Sequence, residues 1–474
     1  MATIKKKALI IGAGTGGYPC AIRLGQLGVD AMLVEKDKPG GVCLNWGCIP
    51  SKALISATKL YHKAQHVKDM GLSFGQAAVD MTQMQAWKSG IVKKLTGGVQ
   101  GLVKGAGTQY VNATATILDA HRVKLTYADG KPEDIVEVEH LVIATGSVPI
   151  EIPGFKFDHK RVLDSTSALD LATIPKRMVC VGGGIIGLEL GQTFQRLGTQ
   201  LIVLEGLPRI LNGVDPECGD VVARQIKKDG GQIHTGAKAL GWEERGGEAI
   251  VKAEVGGKVQ EFACDVILVA VGRRPVTQGF GLDKAGVKLS QRGFIEVDNR
   301  LQTNVPGVYA VGDVVGQPML AHKASHEGEV LAEVIAGRKT INDARQIPNV
   351  VFTEPEIASS GLTVEEAEAK GLKTNIGKFP FAVSGRAMAI GETSGFVKIV
   401  TDAKDDRVLG VHIVGPEASD LINEAALAIE MGAFAEDIAL TIHPHPTLGE
   451  AVMEAAKHAL GEAIHIGNTR RTAH

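Results

Sequence analysis

Ala8-Leu9-Ile10-Ile11 and Ala31-Met32-Leu33-Val34 are unbroken apolar runs. Each is too short for a buried helix and fits a strand covered on both faces, which is how parallel sheets read in sequence. Between them, residues 18–27 carry a helical pattern. The same strand–helix–strand order returns at Met178-Val179-Cys180-Val181 and Leu201-Ile202-Val203-Leu204. Two further runs, Leu141-Val142-Ile143-Ala144 and Ile267-Leu268-Val269-Ala270, follow polar stretches patterned like β-meanders and end in glycine turns. They read as the chain returning to its sheet. A shorter run, Val308-Tyr309-Ala310-Val311, ends at Gly312-Asp313, and Met319-Leu320-Ala321-His322 opens a helix expected to reach about residue 336. From about Pro348 the pattern changes to two-faced strands at 396–400 and 408–413, with long helices at about 419–431 and 448–460.

The two repeated units carry the first chemistry. Gly12-Ala13-Gly14-Thr15-Gly16-Gly17 lies between a strand and a helix, and Glu35 closes the next strand 23 residues after Gly12. Gly182-Gly183-Gly184-Ile185-Ile186-Gly187 repeats this, with Glu205 again 23 residues after Gly182. Glycine permits the sharp turn and lets backbone approach a pyrophosphate, and the following helix N-terminus offers free N–H groups and partial positive charge. Gly12, Gly14 and Gly17, with Gly182, Gly184 and Gly187, are therefore expected to hold two dinucleotides. Glu35 and Glu205 are expected to accept ribose hydroxyls. A carboxylate at Glu205 would repel a 2′-phosphate, so the second unit reads as an NAD site rather than an NADP site.

Composition narrows the class. At 474 residues the chain implies about three domains. Its 59 glycines, about 12% against a usual ~7%, suit an α/β protein dense in tight turns. A net charge of −2 supplies no global field for nucleic acid or a membrane surface. No apolar run reaches the ~20 residues of a membrane span. The N-terminus, which enters its first strand almost at once, is too short for a targeting peptide. Six cysteines in a chain of this size are no disulfide framework, so a reducing, cytoplasmic setting is expected.

Four of those cysteines, Cys20, Cys180, Cys218 and Cys264, are isolated and read as buried thiols. Cys43 and Cys48 share one glycine-flanked segment, Gly40-Gly41-Val42-Cys43-Leu44-Asn45-Trp46-Gly47-Cys48-Ile49-Pro50-Ser51-Lys52. Residues five apart in a regular helix have Cα atoms about 8–9 Å apart, whereas a disulfide needs roughly 4.4–6.8 Å. Pairing would require a break in the helix, and Gly47 is placed to allow one. A bridge over so short a loop in a reducing compartment is expected to be redox-active. A zinc site is the competing reading; it lacks two further ligands at close spacing, and no metal site is expected.

GGVCLNWGCIPSK resembles the redox-active segment GGTCxNxGCIPSK of the class I pyridine nucleotide–disulfide oxidoreductases, departing from it at Val42 and Trp46. The order of first glycine unit, cysteine pair, second glycine unit, second FAD motif and C-terminal domain is similar across essentially the whole chain. The resemblance implies an α/β fold with two Rossmann-like domains, for FAD and for NAD, and a C-terminal α+β dimerisation domain. The expected boundaries are 1–147 and 276–347 for the two parts of the FAD domain, 148–275 for NAD and 348–474 for the interface. It also implies tightly bound FAD, with Ala115 at its adenine end, and places Thr145, Gly146, Ser147, Gly272 and Asp313 among the cofactor-binding residues. The helix opening at Met319, Leu320, Ala321 and His322 would lie under the flavin, its N-terminus favouring negative charge there. Lys52 and Glu189 would form an ion pair near the flavin, and Ile185 would gate the nicotinamide.

One further motif narrows the branch. His445-Pro446-Thr447-Leu448-Gly449-Glu450 resembles the C-terminal signature of the dihydrolipoyl dehydrogenases within that family. Prolines stiffen both sides of His445, and a histidine oriented by a carboxylate suits removal of a thiol proton near neutral pH. By resemblance His445 is the acid–base and Glu450 its partner, with His443 structural. The histidine would serve the other subunit of a symmetric homodimer, and lipoylated acyltransferase or H-protein domains would be the partners. Rival branches fit less well. Glutathione-type reductases would want arginine at Glu205, mercuric reductases a cysteine pair beyond Cys264, and soluble transhydrogenases would lack the intact pair. A non-catalytic assembly protein would not need the full set of Cys43, Cys48, His445 and Glu450.

Overall fold

The computed structural model describes residues 2–75 and 77–468. Met1, Gln76 and residues 469–474, which fall inside the expected first and last domains, lie outside the described residues.

The Thr3–Ile11 strand pairs in parallel with Ala31–Glu35 on one side and Asp134–Ile143 on the other, bringing Ile10 beside Leu33 and Val142. Gln109–Asn112 extends the sheet at one edge, and Val308–Ala310 returns from far along the chain to pair in parallel with Asp134–Ile143. Helices Gly17–Gln26 and Ala321–Ile335 share one core with this sheet. Ala8–Ile11 and Ala31–Val34 are buried throughout, as continuous apolar runs demand when both faces are covered.

The second unit is a five-stranded parallel sheet in the order Gln232–Thr235, Gln200–Glu205, Arg177–Val181, Val266–Val269, Val162–Leu163. An antiparallel meander, Lys238–Arg245 to Lys258–Cys264, lies before its return strand. A short antiparallel pair, Ser147–Pro149 with Arg273–Pro275, joins the exit from the first sheet to the exit from the second. Gly146-Ser147-Val148-Pro149 and Gly272-Arg273-Arg274-Pro275 share the pattern Gly-x-x-Pro, a repeat that marks the pairing in the sequence.

The third unit is an antiparallel sheet ordered Asn349–Val351, Glu356–Gly361, Val408–Gly415, Phe396–Asp402, Thr374–Pro380, with helices Ala418–Met431 and Glu450–Leu460 packed on one face. Here the expectation of two-faced strands needs correction. Lys398 and His412, cross-strand neighbours on the polar-looking face, are 6% and 1% exposed. That face packs against the second unit, and Lys398 Nζ reaches both carboxylate oxygens of Asp215, at 3.0 and 2.8 Å. Burial pushes the Lys398 pKa down, but Asp215 and Glu217 outweigh it and hold the ammonium above its usual value. Alternation in a strand reports two environments, and one of them can be a buried ion pair instead of water.

Candidate active site

The two glycine turns are built alike. At Gly12 (φ +103°) a Cβ would lie 2.3 Å from the Ala144 carbonyl oxygen, and at Gly182 (φ +109°) 2.5 Å from that of Ala270. Five residues on, a Cβ at Gly17 or Gly187 would sit 1.8 or 2.3 Å from the carbonyl oxygen of Gly12 or Gly182. Only glycine lets each helix start directly on its turn. Glu35 Oε2 accepts the Ala13 N–H at 2.7 Å and its Oε1 that of Asp37 at 2.9 Å. Glu205 does the same with Gly183 at 2.6 Å and Leu207 at 2.7 Å.

Between these turns lies the cysteine segment. Helix Gly41–Trp46 stops at Gly47 (φ −141°, ψ −108°), and helix Cys48–Gln65 begins at once. The break brings the Cys43 and Cys48 Cα atoms to 4.6 Å, and the two sulfurs form a disulfide. A Cβ on Gly47 would crowd the Val42 carbonyl oxygen at 3.0 Å, and one on Gly41 would stand 2.5 Å from the Gly14 Cα. The second contact seats the cysteine segment directly on the first turn. Asn45 Nδ2 fixes it there by donating to the carbonyls of Pro39 and Gly41, at 2.9 and 3.0 Å. One helical turn beyond Cys48, Lys52 Nζ meets Glu189 Oε2 at 2.8 Å.

At the exit from the first sheet, the Ser147 hydroxyl donates to Asp313 Oδ2. Arg273 reaches the same serine twice, through Nε to Oγ and Nη2 to the carbonyl, both at 2.8 Å. Burial lowers the Arg273 pKa, while Asp313 and Asp164 oppose that shift. Arg273 was missed in the sequence because it looked like the tail of a strand; the Gly-x-x-Pro repeat could have found it. Thr145 Oγ1 donates to the Val276 carbonyl, and the Gly312 N–H donates to the buried carboxylate of Glu327.

These groups open on one cleft of about 1950 Å³, roughly twice the upper range of ordinary ligand pockets. Gly12, Gly14, Glu35, Cys43, Cys48, Lys52, Ala115, Thr145, Gly146, Ser147 and Asp313 line it. So do Met319, Leu320, Ala321 and His322, as well as Gly182, Gly184, Ile185, Glu189, Glu205 and Gly272. His322 Nε2 also donates to the Pro348 carbonyl at 2.7 Å, and helix Ala321–Ile335 starts with its free N–H groups at the cleft. Gly17 and Gly187 are not lining residues; they act by letting helix and turn touch. Two glycine cradles, two acidic lips and a cleft of this size fit two dinucleotides. Among the described residues no group of three or more His, Cys, Asp or Glu is placed to hold a metal ion, and no helix is long and apolar enough to cross a membrane.

His445 and Glu450 come together, but away from this cleft. The imidazole Nδ1 donates to Glu450 Oε1 at 2.8 Å, and Glu450 Oε2 accepts the Thr447 N–H at 2.8 Å. Partial burial pushes the Glu450 pKa up, but the Thr447 N–H and His445 outweigh it and hold the carboxyl below its usual value. A carboxylate can only accept, so the neutral ring keeps its proton on Nδ1 and presents Nε2 as a base. The His445 side chain is 78% exposed. His443 is its opposite: 7% exposed, with Nε2 against Glu424 Oε1 at 2.9 Å and Nδ1 against the Thr441 carbonyl at 2.8 Å. Both partners are acceptors, so both nitrogens carry protons, and Glu424 first of all raises its pKa.

The chain matches the pyridine nucleotide-disulphide oxidoreductase family over residues 6–328 and that family's dimerisation domain over residues 347–456. The latter supports a homodimer, and the family uses FAD and a nicotinamide dinucleotide. It is 48% identical to the dihydrolipoyl dehydrogenase of Geobacillus stearothermophilus, over 98% of each chain, and 48% identical to that of Bacillus subtilis, over the same shares. The crystal structure of LpdA from Mycobacterium tuberculosis superposes with a TM-score of 0.88 at 25% identity, over 95% of this chain and 99% of that one. The HOCl-induced flavoprotein disulfide reductase RclA from Escherichia coli shares the fold, with a TM-score of 0.84 at 24% identity over 94% of this chain and 98% of that one. A disulfide seated on one of two glycine turns and a histidine–glutamate pair at the far end of the chain thus accompany near-full-length likeness, and the chain belongs to the dihydrolipoyl dehydrogenases of the pyridine nucleotide–disulphide oxidoreductase family.

Proposed function

We propose that this protein oxidises protein-bound dihydrolipoyl groups to lipoyl disulfide and reduces NAD to NADH. It would serve as the flavoprotein component of 2-oxoacid dehydrogenase complexes, the glycine cleavage system, or both. The observation that carries this reading is the Cys43–Cys48 disulfide opening on the cleft between the two glycine turns. The first turn, with Glu35, Ala115, Ser147 and Asp313, would hold FAD; the second, with Glu205, would hold NAD. When bound, FAD supplies an isoalloxazine that takes an electron pair from a thiolate and yields a hydride to the nicotinamide. The domain boundaries read from the sequence are proposed with this assignment, as is a cytoplasmic setting.

The residues divide the work. The partner subunit's His445, held by Glu450 with Nε2 free, removes the first thiol proton of the dithiol. The resulting thiolate attacks Cys43 Sγ; a substrate–Cys43 bond forms and the Cys43–Cys48 bond breaks, leaving Cys48 as thiolate. His445 then hands its proton to Cys43 and takes that of the second substrate thiol, whose sulfur attacks the substrate sulfur bound to Cys43; the lipoyl ring closes and the substrate–Cys43 bond breaks. Cys43 loses its proton and re-forms the bond to Cys48 as the electron pair leaves by way of Cys48; one of the two dithiol protons would go with the electron pair to NAD and the other to solvent, so that dithiol and NAD become disulfide, NADH and one proton. Lys52, paired with Glu189, places positive charge where that electron pair arrives.

The test is direct. The purified protein is expected to be yellow and to reduce NAD with dihydrolipoamide. Cys43→Ser and Cys48→Ser are each expected to abolish that turnover while retaining FAD; turnover surviving either substitution refutes the assignment. Pull-down with isolated lipoyl domains would identify the complex served.

A further inference from the structure

Lys52 and Glu189 face the cleft, but the carboxylate between them and the rest of the protein is aimed from behind. Glu189 Oε1 accepts the Phe352 N–H at 2.9 Å, which leaves Oε2 for Lys52. The Phe352 ring closes the arrangement, its centroid 4.4 Å from Lys52 Nζ. The position of residues 352–354 therefore sets where the Lys52 ammonium sits. That stretch has lost regular pairing: the strand before it ends at Val351 and the next begins at Glu356.

One side chain replaces the missing strand. Gln192 Oε1 accepts the Glu354 N–H at 2.9 Å, and its Nε2 donates to the Glu354 carbonyl at 3.1 Å. A single amide thus holds both backbone groups of one residue, as a neighbouring strand would. Gln192 is 2% exposed and lies on helix Ile185–Arg196, three residues after Glu189 and on the same face. It does not line the cleft. The Glu354 side chain is held more loosely, 3.4 Å from Lys59 Nζ and 3.9 Å from Arg196 Nη2. Gln192 thus holds the Glu354 backbone directly, beside the Thr353 hydroxyl, which donates to the Pro355 carbonyl at 2.8 Å.

We infer that Gln192 is a positioning residue for the redox centre: by clamping Glu354 it fixes the Phe352 N–H, which orients Glu189 and so holds the Lys52 ammonium over the electron-accepting end of the cleft. This rests on the flavin reading given above. An ammonium held at that point favours the negative charge of a reduced flavin. Loosening the clamp lets the ammonium drift, which lowers the flavin midpoint potential and slows the electron transfer that follows thiol attack.

The experiment uses the full-length, FAD-loaded dimer. Gln192→Met keeps the length and removes both hydrogen bonds; Gln192→Glu keeps the acceptor for the Glu354 N–H and loses the donor. The expected result is a lower flavin midpoint potential in Gln192→Met, a several-fold lower kcat with dihydrolipoamide and an unchanged KM for NAD, with Gln192→Glu in between. In a Lys52→Met background, where no ammonium remains to be placed, Gln192→Met is expected to leave the potential unmoved. A thermal destabilisation with unaltered potential and kcat overturns the inference and makes the clamp merely structural. So does a potential shift of the same size with and without Lys52. If Gln192→Met does not load FAD, the potential of Gln192→Glu decides between the same two outcomes. A wild-type protein that carries no flavin would defeat the functional reading instead, which keeps the two failures apart.

Discussion

The two glycine turns share their chemistry and differ in what covers them. Around the first, Gly14 stands under Gly41, a Cβ on Gly16 would meet Val311 at 3.1 Å, and the cysteine segment and helix Ala321–Ile335 close over the site. Around the second, a Cβ on Gly184 would meet nothing within 4 Å, and the crowding is on the Gly183 side, where a Cβ would stand 2.9 Å from Ile210. The turn by itself is a device for approaching a pyrophosphate. What is packed on top decides whether the ligand is enclosed or free to exchange. An enclosed first site and an open second one suit a resident flavin and a dinucleotide that enters and leaves with each turnover.

The largest effect that could break this comparison is loss of the first cradle. Gly12→Ala places a methyl group inside the Ala144 carbonyl, with no flexible neighbour to yield, and the purified protein is expected to be colourless; a normal flavin-to-protein ratio would contradict the packing. Gly184→Ala is expected to fold, keep its flavin and raise the KM for NAD only several-fold, whereas Gly14→Ala, the matching position under Gly41, is expected to lower the flavin content; the two together test the asymmetry itself. Equal losses from both substitutions would mean that the second turn is as enclosed as the first.

The two histidines of the C-terminal motif sharpen the same contrast between exposed function and buried support. His445→Gln is expected to reduce dithiol turnover by roughly 10²–10⁴-fold, the usual worth of a general base. It should barely change the melting temperature or the oxidation of NADH by an artificial acceptor; equal losses in both assays would argue against a role in thiol deprotonation. His443→Gln is expected to cost stability of about 1 kcal/mol, because a largely buried ring loses its hydrogen bonds to the half-exposed Glu424 and to the Thr441 carbonyl. Its pKa is raised on folding, so that stabilisation is complete below about pH 6.5. It fades as pH rises through the higher folded-state value. Urea midpoints of wild type and His443→Gln should therefore converge from about pH 6.5 upward, and divergence would reverse the assignment.

The smallest expected effect concerns coenzyme choice. Glu205→Ala removes the negative lip of the second turn and is expected to narrow the preference for NAD over NADP, read as the ratio of kcat/KM values. An unchanged ratio would mean that Glu205 serves only the N–H groups of Gly183 and Leu207.

Much of this is legible in the sequence. Continuous apolar runs located the parallel strands because both faces of those strands are buried. Gly12 and Gly182 marked the turns because no other residue tolerates that φ beside a carbonyl. The helix break at Gly47 was required by the mismatch between five-residue helical spacing and disulfide reach, and the helix breaks there. His445 and Glu450 were close enough in sequence to suggest their bond. The two-faced reading of the strands at 396–400 and 408–413 did not foresee that Lys398 and His412 are buried, with Asp215 against Lys398.

What the chain determined alone was local: periodicity, turn conformation and the chemical types brought within a few residues of one another, all set by short-range sterics and burial. Tertiary structure decided the rest. It put Arg273 on Ser147, Phe352 and Gln192 behind Glu189, and the cysteine pair on the first turn instead of the second. Arg273 with Ser147, Phe352 with Glu189 and Glu354 with Gln192 each join residues more than a hundred positions apart, and Gly41 meets Gly14 across an intervening helix and strand; no periodicity carries a signal over such separations, and only the packing of whole units fixes which groups meet.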